Sequence, residues 1–296
     1  MPMSSWMRPL LCLTLCLAAA PLWASVVVHD GYNRSVTIHQ PPTRIVSLFA
    51  SNTELLAALG LERQIVGIED YTHYPPGIRD NRTIVGGRLG FSAEAIARLR
   101  PDLVILTPAR GAADSLIRPM SLTGTPVLIL MHKDVEQIFT NLDLLGTAAG
   151  VAPRAQATIS ELRRRLARVQ GSNQNRQPLR VYLELGDNDR GALQTVREGT
   201  YTADALRLAG AQNVFAGLNG ITQVSGEAVI RANPEVILVA RTDTDVSRIA
   251  NRPGWANIDA VLNGRVYVVD RAQLLIPGPR VVDGVEQIAR LLYAQP

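Results

Sequence analysis

The stretch "FSAEAIARLRPDLVIL", residues 91–106, returns in outline later in the chain as "VSGEAVIRANPEVILV", residues 224–239. Each copy has a serine, a glutamate two positions on, a short helical run, a proline followed by an acid, and four apolar residues. A serine in that place is a favourable helix N-cap, and a continuous apolar run is typical of a buried parallel strand. The sequence therefore predicts the same helix-then-strand unit twice, once in each half.

Short apolar runs that predict strands lie on both sides of each copy. They cover residues 44–49, 64–68, 83–86, 102–106 and 126–130 in the first half, and 179–186, 211–217, 235–240 and 265–270 in the second. Helical stretches such as 52–60 lie between several of them, and residues 25–40 have the pattern of a β-hairpin. Apolar strands alternating with helices are typical of a parallel sheet covered on both faces. The predicted fold class is α/β, with two lobes, each a mainly parallel sheet flanked by helices.

A long helical segment separates the two halves. No strand pattern is found from Val135 to Gln170, and Pro153 falls near the start of the second helical run, where proline is tolerated. A helix of about 20 residues is about 30 Å long, which is enough to join two lobes. The predicted organisation is a signal peptide at 1–24, an N-terminal lobe at 25–150, a connector helix at 151–171 and a C-terminal lobe at 172–296.

The first 24 residues have the pattern of a cleaved secretory signal. Arg8 is followed by an apolar run and by a small residue, Ala24, after which we expect cleavage. Lipid anchoring is the alternative, because Cys12 and Cys16 lie in this segment, but each follows a leucine where lipoprotein processing requires a small residue. We therefore expect a soluble protein that is exported across the cytoplasmic membrane.

Composition excludes several classes of function. The two cysteines lie in the predicted signal, so we expect the mature chain to be stabilised by its core rather than by disulfides. The formal net charge is +4 and no basic run is interleaved with aromatic residues, which argues against nucleic-acid binding. The sequence has no G-x-S-x-G, H-E-x-x-H or P-loop motif, so an enzyme is not expected.

Five segments together resemble a known family: 44–76, 92–106, 209–217, 224–239 and 277–292. In this order and spacing they are similar to periplasmic binding proteins of the iron-siderophore, haem and cobalamin class, which deliver ligands to ABC importers. The resemblance implies a monomer that docks on an ABC permease dimer in the inner membrane. It also implies that one glutamate of each lobe pairs with permease arginines, and the matching positions are Glu94 and Glu227. An acid in the first turn of a helix also stabilises the helix dipole, which is the competing interpretation of both residues.

In parallel sheets, ligands bind outside the carboxyl ends of the strands. The candidate ligand contacts lie in the loops that follow predicted strands: Arg88, Tyr71, Tyr74, Asn52, Arg197 and Arg241. Arg88 is the first candidate, because the ferric-hydroxamate binding protein that the chain resembles has a ligand-binding arginine at the matching position. A guanidinium offers parallel N–H donors to an anionic, oxygen-rich chelate.

An iron-siderophore is the expected ligand, and a corrinoid such as cobalamin is the alternative. The cobalamin-binding member of the family has tryptophans where this chain has Arg88 and Ile221, and an acid near Ala272. Haem-binding members have a tyrosine ligand where this chain has Gly87, so haem is less expected. No cofactor and no site for a bare metal ion are expected, since the four histidines are scattered.

Two other classes of protein share this type of scaffold. A periplasmic sensor could present the ligand to a membrane partner without transport, and an enzyme could process the chelate. We expect only modest closure of the lobes on a ligand, because a long connector helix resists a wide hinge.

Overall fold

The computed structural model describes residues 24–87, 90–108, 113–187, 192–218, 222–241 and 245–293. The elements of the first half are β1 (Val26–His29), β2 (Ser35–Ile38), β3 (Ile45–Leu48), α1 (Ala50–Ala58), β4 (Ile65–Glu69), β5 (Thr83–Gly87), β6 (Gly90–Phe91), α2 (Ala93–Arg98), β7 (Leu103–Leu106), α3 (Asp114–Leu122), β8 (Val127–Ile129) and α4 (Val135–Ala148). The second half has α5 (Ala152–Asn173), β9 (Leu179–Asp187), β10 (Leu193–Thr195), α6 (Tyr201–Leu208), β11 (Ala211–Asn213), β12 (Gln223–Val224), α7 (Gly226–Ala232), β13 (Val236–Val239), α8 (Val246–Ala250), α9 (Asp259–Leu262), β14 (Val266–Val268), α10 (Arg271–Leu275) and α11 (Val281–Tyr293). Two 3-10 turns, Glu62–Gln64 and Trp255–Asn257, complete the set.

Each half contains a sheet of six strands. The first has the order β6-β5-β4-β3-β7-β8, and all of its pairings are parallel except that of β6. The second has the order β12-β10-β9-β13-β14, with β11 parallel to the beginning of β9. The predicted α/β class with two lobes is confirmed. The antiparallel strands β6, β10 and β12 were not predicted, because these two or three residues are not part of a continuous apolar run.

The repeated unit folds as the sequence predicts. Ser92 and Ser225 cap α2 and α7, accepting the backbone N–H groups of Ala95 at 3.1 Å and Ala228 at 3.2 Å. All four residues of β7, and all four of β13, are buried. The same local signals therefore build the same helix and strand in both lobes.

Each copy is also tied to the beginning of the central strand of its sheet. The Asp102 carboxylate accepts the backbone N–H of Arg44 at 2.9 Å, and Glu235 accepts that of Arg180 at 2.9 Å. The carbonyl oxygens of Arg44 and Arg180 accept the backbone N–H groups of Asp102 at 2.9 Å and Glu235 at 2.8 Å in return. The acid after each proline thus anchors the unit to β3 or β9.

The same two arginines help to end the helices. The Arg44 guanidinium donates to the carbonyl oxygen of Leu99 at 2.7 Å, and Arg180 donates to that of Ala232. These bonds satisfy carbonyl oxygens that a helix terminus leaves without an intrahelical partner.

The helix α5 lies between the two halves and packs on α4 and α11. Arg165 fixes it to the second half, donating to Asp283 at 2.6 Å and to Glu286 at 2.9 and 2.6 Å. One cluster of buried apolar side chains includes Leu142 of α4, Ile159 of α5 and Val285 of α11. A continuous core therefore joins both halves.

Candidate functional site

A cavity of about 440 Å³ opens where four strands of the first sheet end. The lining residues come from the ends of β3, β4, β5 and β7, and from β6: Leu48, Phe49, Glu69, Gly87, Gly90, Phe91, Leu106, Thr107 and Pro108. Glu69 and Thr107 are the polar side chains of this set, and the rest of the lining is apolar or glycine. This edge is where parallel sheets bind ligands, and an apolar wall with few polar groups is typical of a small-molecule site.

Phe49 stands at the centre of this edge in an unusual backbone conformation. Its φ is 104° and its ψ is 131°, a region that residues other than glycine rarely adopt and that costs about 1–3 kcal/mol. Its side chain is 37% exposed, although β3 before it and Ser51 after it are buried. The ring centre lies 6.2 Å from that of His132, with the planes at 30°.

Glu69 faces the same turn from the end of β4. Burial raises the pKa of its carboxyl, and the backbone N–H groups of Ala50 and Phe49 oppose that rise by hydrogen bonding. The Glu69 carboxyl thus accepts backbone N–H groups at the beginning of α1, where the N-cap residue Phe49 has no side-chain acceptor.

His132, after β8, is the centre of a polar network beside the cavity. Its Nε2 lies 3.1 Å from the hydroxyl of Ser51 and 3.1 Å from that of Thr107. Asn141 Nδ2 lies 3.3 Å from His132 Nδ1 and donates to the carbonyl oxygen of Met131 at 2.9 Å. Because an amide nitrogen can only donate, Nδ1 accepts and the ring proton is on Nε2. Burial lowers the pKa of His132 to about 4, so the ring is neutral at pH 7.

The edge of the second sheet carries a chain of charged groups. Glu184, which is fully buried, accepts two hydrogen bonds from Arg252, at 2.6 and 2.8 Å. Arg241 lies 3.8 Å from Glu184 and 3.1 Å from Asp187. The Arg252 guanidinium also covers the Trp255 ring, 4.7 Å from its centre. Arg241 is thus held at the sheet edge while its side chain stays 36% exposed.

The predicted ligand residues occupy different environments. Tyr71 is 51% exposed, and Arg197 is exposed before α6. The Tyr74 ring is covered by the Arg280 guanidinium, 3.9 Å from the ring centre. Asn52 is fully buried and donates to the carbonyl oxygen of Leu48 at 2.7 Å, so its amide supports the strand end.

Three sequence predictions fall wholly or partly on undescribed parts of the chain. Arg88 lies outside the described residues, as does the predicted signal peptide up to residue 23. Gly87 and Gly90, which lie on either side of Arg88 in the sequence, line the cavity. Ile221, at the family's second tryptophan position, also lies outside.

Glu94 and Glu227 are both exposed in the first turns of equivalent helices. Glu94 pairs with Arg98 one turn later, at 2.6 Å, and both side chains are about three-quarters exposed. Arg231 stands one turn after Glu227, and no ion pair joins them.

A larger cavity of about 760 Å³ lies at the side of the molecule, between the segment before α4 and helix α6. Asp204 accepts the backbone N–H of Val135 there, at 3.0 Å. Its lining includes Lys133, Glu198 and Arg207. We place the candidate ligand site in the 440 Å³ cavity instead, because its lining residues lie at the carboxyl ends of neighbouring strands of one sheet.

The sequence did not single out Phe49 or His132 as key parts of the site. For Phe49, the sequence offered one signal, a large aromatic residue directly after a buried strand. That signal does not reveal the backbone conformation of Phe49. Within the described ranges no helix is long and apolar enough to cross a membrane, and no three metal-binding side chains converge.

Comparison with known proteins identifies the class. The family model described as "Periplasmic binding protein" matches residues 45–272, and the chain belongs to this family. It is therefore a substrate-binding protein of the ABC importer class and not an enzyme.

The similar proteins differ in their stated ligands. The uncharacterized ABC transporter substrate-binding lipoprotein YvrC of Bacillus subtilis is 28% identical over 90% of this chain and 85% of its own. The periplasmic vitamin B12 binding protein BtuF of Vibrio cholerae has a TM-score of 0.71 and 28% identity, over 85% of this chain and 97% of that one. A periplasmic heme binding protein from Pseudomonas aeruginosa has the same TM-score and identity, over 85% and 93%.

Proposed function

We propose that this protein captures a metal chelate outside the cytoplasmic membrane and delivers it to an ABC permease. The observation that carries the proposal is family membership over residues 45–272, together with an open cavity at the carboxyl edge of one lobe. A cleaved signal at 1–24, a monomeric state and the division into lobes at 25–150 and 172–296 around the connector at 151–171 belong to this proposal.

A ferric siderophore is the first candidate ligand. Arg197 and Arg241 are accessible on the second lobe, and guanidinium groups suit anionic chelates rich in oxygen. Arg88, which follows the cavity residue Gly87 in the sequence, is proposed to orient the chelate. Tyr71 and Tyr74 are proposed as wall residues, and Asn52 as the buried support of the strand end at Leu48.

A corrinoid is the second candidate. The cavity at the strand ends is mostly apolar, and the chain is similar to a protein named for vitamin B12. An apolar wall suits a macrocycle better than it suits a hydrophilic chelate.

Glu94 and Glu227 are proposed as the docking residues, one on each lobe. Equivalent exposed acids on equivalent helices suit a partner made of two related subunits.

Uptake by the source bacterium tests the function. Deleting the gene should abolish uptake of one labelled chelate among ferric siderophores, ferric citrate, haemin and cobalamin. The parent gene should restore uptake, and a Glu94→Arg/Glu227→Arg double variant should not, although the purified variant should keep its ligand affinity. Unchanged uptake of every chelate after deletion would contradict the proposal, and a lost transcriptional response with normal uptake would indicate a sensor.

A further inference from the structure

Phe49 combines two properties that a residue with a purely structural role would not need. Its backbone has φ 104°, where a side chain is strained and glycine is favoured. Its ring is nevertheless 37% exposed at the mouth of the cavity, rather than buried in the core. A strained large aromatic that is not used for packing indicates a use outside the fold.

The surroundings hold this conformation firmly. The Phe49 carbonyl oxygen accepts the backbone N–H of Asn52 at 3.0 Å, which begins α1. Thr53 donates to Ser47 at 2.9 Å, and both side chains are fully buried. The Glu69 carboxyl faces the backbone N–H of Phe49 itself. The turn is therefore fixed before any ligand arrives.

The ring also has a suitable neighbourhood. Leu48, Leu106, Phe91 and Pro108 line the same cavity, and no cation lies among the lining residues that the structure describes. His132 stands behind the ring at 6.2 Å between centres and is held by Ser51 and Thr107. Glu69 is the acidic side chain in the described lining, and its carboxyl already accepts the backbone N–H groups of Ala50 and Phe49. A flat apolar surface could therefore lie against this wall without removing a hydrogen-bond partner from that carboxyl.

We propose that Phe49 is a rigid stacking platform that selects chelates with a flat, largely apolar face, such as macrocycles. This inference rests on the proposed function and narrows its ligand class. Aliphatic hydroxamate and citrate chelates have no such face, so they gain little from the platform.

Binding titrations with two groups of probes test the selection. The flat probes are haemin and cobinamide, and the others are ferric citrate and an aliphatic ferric trihydroxamate. Phe49→Gly should weaken binding of the flat probe by at least about tenfold, whereas Phe49→Tyr should stay within about twofold. Glycine adopts this conformation without strain, so Phe49→Gly should keep the parent melting temperature. Tyr32→Ala removes an exposed aromatic from the β1–β2 turn and is the control for surface effects.

A second variant tests whether the bound chelate lies close to residue 49. Phe49→Trp adds an indole at the cavity to that of Trp255, and a bound haemin or cobinamide should strongly quench the emission that the variant has in excess of the parent. Unquenched indole emission with a flat probe bound would overturn the platform.

The outcomes separate the two proposals. Flat probes that bind the parent and Phe49→Gly equally would overturn the platform and leave the carrier function standing. Binding of only the aliphatic chelates to the parent would also overturn the platform and leave the carrier function standing. Failure of every probe to bind the parent would overturn both.

Discussion

Arg280 of the second half reaches Glu54 of the first, donating from Nε to Oε2 at 3.0 Å and from its terminal nitrogen to the other carboxylate oxygen. Glu54 lies on α1 and is 2% exposed. Burial raises the pKa of Glu54, and the Arg280 guanidinium opposes that rise. The same guanidinium covers the ring of Tyr74, so one side chain connects the halves and positions a proposed ligand residue.

Removing this arginine should destabilise the fold strongly. Arg280→Ala leaves the buried Glu54 without its partner, which typically costs about 3–5 kcal/mol in the free energy of unfolding. Urea denaturation measures the loss. Arg207→Ala is the matched control, because Arg207 pairs with Asp204 at the surface and should cost about 1 kcal/mol or less. Equal losses for the two variants would show that the Glu54 pair is not buried in solution.

His132 should make the protein sensitive to acid. Its folded pKa of about 4 is below the ordinary value of 6.5, so the neutral ring is favoured in the folded state. Its contribution to stability is complete above about pH 6.5 and is lost as the pH falls toward 4. Protonating Nδ1 would also oppose the Asn141 amide, which already donates to it.

Denaturation at pH 7.5 and pH 4.5 measures this effect. The contribution of His132 to the loss should be on the order of 2–3 kcal/mol, since one pKa unit corresponds to about 1.4 kcal/mol. His132→Gln should lose that much less than the parent between the two pH values, and the exposed His73→Gln should behave like the parent. An unchanged pH dependence in His132→Gln would contradict the burial of this ring.

The acid of each repeated unit should contribute to stability. Asp102→Ala removes the acceptor for the backbone N–H groups of Thr43 and Arg44, at 2.8 and 2.9 Å, and should cost about 1.5 kcal/mol. Thermal unfolding is a sufficient measurement. Glu161→Ala, an exposed acid on α5, should cost clearly less. Equal melting temperatures for Asp102→Ala and Glu161→Ala would show that the hydrogen bonds of Asp102 to the beginning of β3 do not stabilise the fold.

The Arg98–Glu94 ion pair within α2 should weaken the proposed docking of the protein on its permease. Arg98 pairs with Glu94 and, under the docking role proposed for Glu94, would compete with a cation of the permease. Arg98→Ala should therefore strengthen binding of the purified protein to inner-membrane vesicles of the source bacterium. Surface pairs contribute about 1 kcal/mol or less, so the gain should be at most about fivefold. Arg231→Ala is the control, because Arg231 forms no ion pair with Glu227. Weaker binding of Arg98→Ala would contradict the assignment of Glu94 as the docking residue.

Local signals made the repeated unit predictable. The serine caps and the apolar runs of β7 and β13 act within a few residues, so the sequence alone was enough for the two-lobed α/β class. Strand 211–217 was predicted too long, since only Ala211–Asn213 pairs with β9.

The site depended on contacts between distant residues. The φ of Phe49 is set by α1 and by Glu69 at the end of another strand, and no local pattern encodes it. In the same way, the partners of Tyr74 and Arg241 are charged groups on other elements. Composition could place these side chains in loops, but only the fold determines what they contact.

Intrinsic fluorescence titration of the mature protein tests the central claim most directly. Once the proposed signal at 1–24 is removed, Trp255 is the only tryptophan in the sequence. It connects to the second sheet edge through Arg252 and Glu184 to Arg241. We expect that one chelate among ferric siderophores, ferric citrate, haemin and cobalamin changes this emission saturably, and that Arg241→Ala weakens the response. A protein that gives no saturable response, and no heat of binding, with any siderophore, haemin or corrinoid would contradict the claim that it is a carrier of metal chelates.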